Sequence, residues 1–282
     1  MNTLTLLAES SKVNFVDLNV PGWAWVALLA FICVLLAVDI LVIHRDAHDV
    51  GPREALIEST VWISIGLAFT GVIAVAFGGA ASGEYISGYL IEKSLSIDNV
   101  FVWALILSFY KIPLKYQHRV LFWGILGAVA MRAIFIIAGI AAVDRFTILL
   151  PIFGAFLLFT GLKMAFSHDE SEGKGVDENF VVRMIRRFLP VTNRLHGEAF
   201  IAREDGRRVF TPLFVVLVVI ESTDLLFAID SIPAVLGILP VQMPIEDKRF
   251  IAFTSNIFAI MGLRSMYFAI SGFMHLFRFL KP

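Results

Sequence analysis

Two pairs of acids, Glu92 with Asp98 and Asp224 with Asp230, each stand six positions apart inside stretches that are otherwise nearly all apolar. Asp39 and Glu221 share such surroundings. At bilayer depth a carboxylate costs about 2.5–3.5 kcal/mol on insertion scales, so several persist only by facing protein, water or a cation. Arg132 and Arg264 are too few to neutralise them, and the surplus of acid predicts protonated carboxyls or a bound cation. A small polar residue, Asn99 or Ser231, follows each second acid, and Ser255 and Asn256 add further oxygens. The expected metal ligands are therefore Asp39, Glu92, Asp98, Asn99, Glu221, Asp224, Asp230, Ser231, Ser255 and Asn256, with Asp98 and Asp230 as the paired central ligands and Glu92, Asp224 and Asp39 as supporting ligands or proton carriers. Oxygen donors of this kind suit magnesium, calcium or manganese(II), whereas zinc and copper prefer sulfur and imidazole. His44 and His48 flank Arg45 and, like His168 and His196, read as solvated loop histidines.

Six residues along a regular helix give about 9 Å of rise and about 240° of rotation, so the acids of a pair need not share a face. An interruption would let them converge. Pro233 frees the carbonyl of Ile229, and Ser94, Ser96 and Asn99 can satisfy exposed backbone in the first half. Freed carbonyls beside carboxylates would complete a hard-cation site.

The elements that must position these residues are membrane helices. Hydrophobic residues make up 58% of the 282 and charged residues only 17%, too little polar surface to cover a soluble globule. The single cysteine, Cys33, rules out a disulfide framework and a cysteine-rich metal site. No cleaved leader is expected, because the first apolar run is longer than a signal core and holds Asp39. Spans of roughly 20 apolar residues are predicted over 23–43, 60–81, 86–109, 119–141, 147–166, 212–239 and 250–273. Assigned to alternate loops, 16 lysines and arginines fall on one side and four on the other. That bias predicts an outside N-terminus and a cytoplasmic basic loop over 167–211. Lys93, Arg132 and Arg264 remain inside spans and need a reason to be there.

Shifting the chain by 132 residues lays Glu92 on Asp224, Asp98 on Asp230 and Arg132 on Arg264. Three spans separate the matched elements, so they cross in opposite directions. The predicted fold is an all-α, polytopic transmembrane helical bundle of about seven spans with an inverted internal repeat. It is read as one domain over 1–282, with repeat cores at 85–140 and 212–273. Secondary transporters use this architecture and place substrate at the repeat interface near the midplane. Within the loop, the basic amphipathic stretch from Phe180 to Leu189 reads as an orienting anchor on the cytoplasmic leaflet. Neither a phosphate loop, nor a nucleophile-base pair, nor a zinc signature is present. No enzyme and no prosthetic group are expected.

At these residues the chain resembles the TerC family of integral membrane proteins, named for tellurium resistance. The resemblance rests on Glu92-Lys-Ser-Leu-Ser-Ile-Asp98-Asn99-Val100-Phe101, on Glu221-Ser-Thr-Asp224 continuing to Asp230-Ser231-Ile-Pro233, and on Phe253-Thr-Ser255-Asn256 continuing to Arg264-Ser265. Asp39 and Arg45 fit the family's first-span pattern, so the likeness covers about 20 to 280. It implies export of manganese(II) from the bacterial cytoplasm, a place among exporters that include lysine exporters, and family acids at Asp39, Glu92, Asp98, Asp224 and Asp230. Typical members continue with one or two further spans, whereas this sequence stops at Pro282. The function expected is alternating-access export of a divalent cation across the plasma (bacterial inner) membrane. Expected partners are that cation, the lipid bilayer and, as candidate coupling ion, the proton, with no nucleic acid; no oligomeric state follows. The competing readings are a membrane scaffold or stress sensor with structural ion pairs, and a calcium or magnesium carrier.

Overall fold

The computed structural model describes residues 18, 20–39, 51–146, 148–166, 180–240 and 243–277. Nine helices occur among them: α1 (Gly22–Val38), α2 (Pro52–Phe77), α3 (Gly79–Phe109), α4 (Leu114–Arg145), α5 (Leu149–Phe166), α6 (Phe180–Phe188), α7 (Pro212–Ile238), α8 (Ile245–Met261) and α9 (Leu263–Phe277). Prolines set many of the starts. Pro52 and Pro212 open α2 and α7 from inside, and Pro21, Pro113 and Pro244 stand just before α1, α4 and α8. Proline's fixed φ suits a first turn, and its missing N–H costs nothing there.

The helix boundaries differ from those of the expected spans. The second begins earlier and ends at Phe77, where Gly78 adopts φ 92 and ψ 172, a conformation essentially reserved for glycine. Gly78 is the whole connection between α2 and α3. The seventh, expected to be continuous over 250–273, turns at Gly262 and becomes α8 and α9. Length and apolarity alone make α2, α4 and α7 candidate membrane spans, with α1 a shorter apolar helix. Glu84, Glu92, Lys93 and Asp98 make α3 less apolar, although its 31 residues are ample to cross.

The all-α expectation needs one correction. Within the 167–211 loop, Ile201–Glu204 (β1) and Arg207–Phe210 (β2) form an antiparallel hairpin, with Arg203 opposite Arg208. Asp205 and Gly206, both at positive φ, make its two-residue turn. Residues 167–179 of that loop, and His44, Arg45, His48 and His168, lie outside the described residues.

Helices α3, α4, α7 and α8 make the centre. α3 packs on α8 and α7, and α4 packs on α7 and α8, so the two halves of the chain interleave. α2 and α9 cover one side against α3, while α5 and α6 lie along α7. α8 is buried along most of its length, from Phe250 to Met261. The outer surface is apolar, with Val75, Ile134, Leu158 and Phe159 exposed. In water these would be liabilities; in lipid they are the required solvent face.

Candidate cation site

Along α3 the residues Glu92, Ser96, Asn99 and Trp103 recur at helical spacing and are all buried. On α7 the same is true of Ile220, Asp224, Ala228 and Ser231. The two stripes face each other across Arg132 of α4. The Arg132 guanidinium donates from one nitrogen to Glu92 Oε1, to Ser231 Oγ at 3.4 Å and to Asn256 Oδ1 at 3.3 Å. One side chain thereby touches all three of the other central helices. Asp224 also lies within the field of Arg132, and its Oδ1 accepts from Trp103 Nε1 at 3.2 Å. Glu221, one turn earlier, fits against the bare backbone of Gly127, where any Cβ would collide with its carboxylate.

The cluster carries more acid than base. Glu92, Asp224 and Glu221 each keep one buried carboxylate oxygen with no hydrogen-bond partner among the described residues, and Ser96 Oγ is likewise unsatisfied. Buried polar atoms are normally paired, because an orphan costs about 1–3 kcal/mol. Glu92 and Asp224 stand beside the positive charge of Arg132, and Glu221 stands beside Asp224. Beside Asn256 there is a void of only about 10 Å³, lined by Ile136, Val235, Leu236 and Ala252. Among the described residues no group of three or more His, Cys, Asp or Glu stands ready-made for a metal.

The expected ligands therefore divide. Glu92, Asp224, Ser231 and Asn256 meet around Arg132, and Glu221 adjoins Asp224. Asn99 is buried on the Glu92 face, and Ser255 Oγ donates to Ala252 O at 3.2 Å beside Gly88. Asp98 does not join them. α3 runs through without the interruption that would bring the pair together, so Asp98 is rotated to the exposed side while Glu92 is 0% exposed. The side chain of Asp230 lies outside the described residues, on a helix that continues through Pro233. Asp39 belongs to a second cluster, where it accepts from Arg264 while Ser265 Oγ donates to Glu58 at 3.0 Å. Both intramembrane arginines are thus paired with acids. Lys93, the third base, donates to Ala259 O at 3.1 Å in the last turn of α8, where carbonyls lack helical partners.

Sequence reasoning passed over Trp103, Gly127 and Glu58. Trp103 was legible as the next position on the Glu92–Ser96–Asn99 stripe. Glu58 fell outside a span drawn from 60, which the helix actually enters at Pro52. Gly127 has no such signal, since its role is to have no side chain opposite Glu221.

The integral membrane protein TerC family matches residues 77–282, which include every one of these central helices. The chain belongs to the TerC family. Among TerC-type relatives, an uncharacterized membrane protein of Myxococcus xanthus is 44% identical over 268 residues, covering 95% of this chain and 81% of that one. A protein of Escherichia coli K12 carrying the provisional name membrane-bound redox modulator Alx is 39% identical over 266 residues, covering 91% and 80%. An uncharacterized membrane protein of Rickettsia bellii is 38% identical over 259 residues, covering 92% and 82%. No solved structure matches this TerC chain.

Proposed function

We propose that this TerC family member is a transporter, and not an enzyme, that exports a divalent cation, manganese(II) first, by alternating access through the carboxylates around Arg132. The observation that carries the reading is the surplus of acid there. Glu92 and Asp224 are buried about a single guanidinium, and each retains an unpartnered oxygen. In this reading Arg132 holds the place of the cargo: it neutralises the acids while the site is empty and must withdraw when a cation arrives. Ser231, Asn256, Asn99 and Ser255 would supply neutral oxygens, and Asp98, Asp230 and Asp39 would serve along the path. Glu221 is suited to carry a coupling proton, because it borders Asp224 without an arginine of its own.

The proposed architecture is one domain over 1–282 with seven spans, the N-terminus outside and 167–211 in the cytoplasm of a bacterial inner membrane. Its repeat cores at 85–140 and 212–273 find support in the helix starts: shifted by 132, Gly79 falls within a residue of Pro212 and Leu114 within a residue of Ile245. Inverted halves that interleave provide the two packings that alternating access requires.

The test is uptake into vesicles. Purified protein in liposomes loaded with a manganese-quenched dye should pass manganese(II) down its gradient, and Glu92→Gln or Asp224→Asn should lower the rate at least tenfold with normal insertion. Competition by calcium and magnesium ranks the ions. The pairing of Arg132 with Glu92 and of Arg264 with Asp39 also suits a scaffold built on structural ion pairs. A scaffold moves no ion, so an inert wild type would refute transport, and full rates in both variants would refute the site.

A further inference from the structure

At one end of the bundle, where α3 stops and α4 and α7 begin, the chain between 180 and 211 folds into a small module that cation transport does not use. Its inner side is well tied down. Val182 and Ile185 of α6 are buried, and α6 packs on α7. Thr211 N–H donates to Phe200 O at 3.0 Å, and Phe210 N–H to Pro190 O at 2.8 Å. Glu198 pairs with Arg119 of α4 at 3.0 Å, and that guanidinium also lies 5.5 Å from the Phe200 ring. The module is therefore held against the ends of α4 and α7.

Its outer side is basic and apolar together. On α6, Arg183, Arg186 and Arg187 are exposed, and Met184 and Phe188 are exposed beside them, Phe188 at 73%. On the hairpin, alternation puts Ile201, Arg203 and Arg208 on one exposed face. Arg203 and Arg208 stand directly opposite each other, and like charges in that relation destabilise a strand pair. Among the described residues Glu198 is engaged with Arg119, and Glu204 with His196 and Thr192 on the inward face, which leaves Asp205 in the turn as the one exposed acid of the hairpin against Arg203, Arg207 and Arg208. Between α6, the following loop and the start of α7 lies a cavity of about 180 Å³ lined in part by Tyr110, Arg186, Thr192 and Asn193. The excess of exposed guanidinium groups over acids among the described residues of this face, together with its protruding apolar side chains, complements a layer of phosphates over acyl chains, since Arg binds phosphate through its planar fork.

We infer that the exposed face of α6 and the β1–β2 hairpin is a docking surface for anionic phospholipid headgroups, with a phosphate drawn toward the cavity beside Arg186. The anionic leaflet supplies the charge that Arg203 and Arg208 lack, and Met184, Phe188 and Ile201 enter the boundary beneath it. Nothing in this depends on the cargo of the central site.

The experiment is hydrogen exchange on the full chain in nanodiscs of phosphatidylcholine alone or mixed with phosphatidylglycerol. With each basic side chain drawn to an anionic leaflet by about 1 kcal/mol, amides of 181–189 should gain roughly tenfold protection or more in the mixed discs, and 0.5 M salt should remove the gain. Arg183→Gln/Arg186→Gln/Arg187→Gln should lose it, and the corresponding triple change to lysine should retain most of it, which separates lost charge from lost folding. Equal protection in both discs, or a full gain in the glutamine variant, would overturn the inference. So would protection by soluble heparin in phosphatidylcholine discs that matches phosphatidylglycerol, because the surface would then serve a soluble polyanion.

Discussion

Arg132 is the residue on which the centre balances, since among the described residues it is the base that touches Glu92, Ser231 and Asn256. Removing one partner of a buried ion pair strands the other, which costs about 3–5 kcal/mol. Arg132→Gln should therefore lower the unfolding free energy of the detergent-solubilised protein by about that much. If the guanidinium stands in for a cation, millimolar manganese(II) should restore part of the loss in Arg132→Gln while shifting the wild type little, as thermal unfolding with and without metal would reveal. A variant that no divalent ion stabilises would argue that these acids form a structural pair only. Gly127 allows a second, independent test. Gly127→Leu fills the space taken by the Glu221 carboxylate and should disturb Glu221 without touching the Arg132 pairs. If export is proton-coupled as proposed, that variant should lose its dependence on the proton gradient before it loses manganese(II) binding.

Elements set which acids meet. The rare intramembrane charges were legible because they stand out against apolar helices, and the resemblance to the TerC family rested on the same residues. Their partition was not legible, since six positions on an unbroken helix separate the directions of Glu92 and Asp98, whereas the sequence equally allowed a break that would join them. Whether a helix breaks depends on packing and on backbone conformation, as at Gly78 and Gly262, and apolar composition does not encode that. Gly78 makes the point testable. With nothing within 4 Å of a Cβ there, Gly78→Ala is penalised only by its φ of 92 and should cost about 1–3 kcal/mol. Its neighbour Gly79 is helical and equally open, so Gly79→Ala should be neutral or stabilising in the same unfolding measurement. The β1–β2 hairpin was legible in hindsight from Ile-Ala-Arg-Glu-Asp-Gly-Arg-Arg-Val-Phe, alternating residues about an Asp-Gly turn. Its anchor is Glu204, whose carboxyl is held below the usual range by hydrogen bonds from His196 and Thr192. A lowered folded-state value means that this support is present above the unfolded value of about 4.3 and fades as pH falls through the folded one. Hairpin amide protection should hold from pH 7 to about 5 and decline below about 4, and Glu204→Gln should flatten that decline.

For the whole molecule, interleaving means that neither half can move alone: α3 rests on α7 and α8, and α4 rests on the same two. If the proposed transport rocks one half against the other, it must slide these interfaces and draw Arg132 away from Glu92 or carry both together. The structure closes the centre, where space beside Asn256 holds scarcely one water, yet it leaves Asp98 exposed six residues along α3. A carboxylate within a span requires water, protein or an ion, and the proposed path, opening to one side at a time, would supply water to one acid of the pair and withhold it from the other. Asp98 should therefore line an aqueous vestibule. With Cys33, the sole cysteine, replaced by serine, Asp98→Cys should react with a charged, membrane-impermeant thiol reagent added to one side of sealed vesicles, and Asn99→Cys, on the buried face, should not. Adding manganese(II) should change the Asp98→Cys rate if the vestibule opens and closes with cargo. Should Asp98→Cys react only with lipid-soluble reagents, that face of α3 would be meeting lipid or another chain, and the path to the carboxylates would have to run elsewhere.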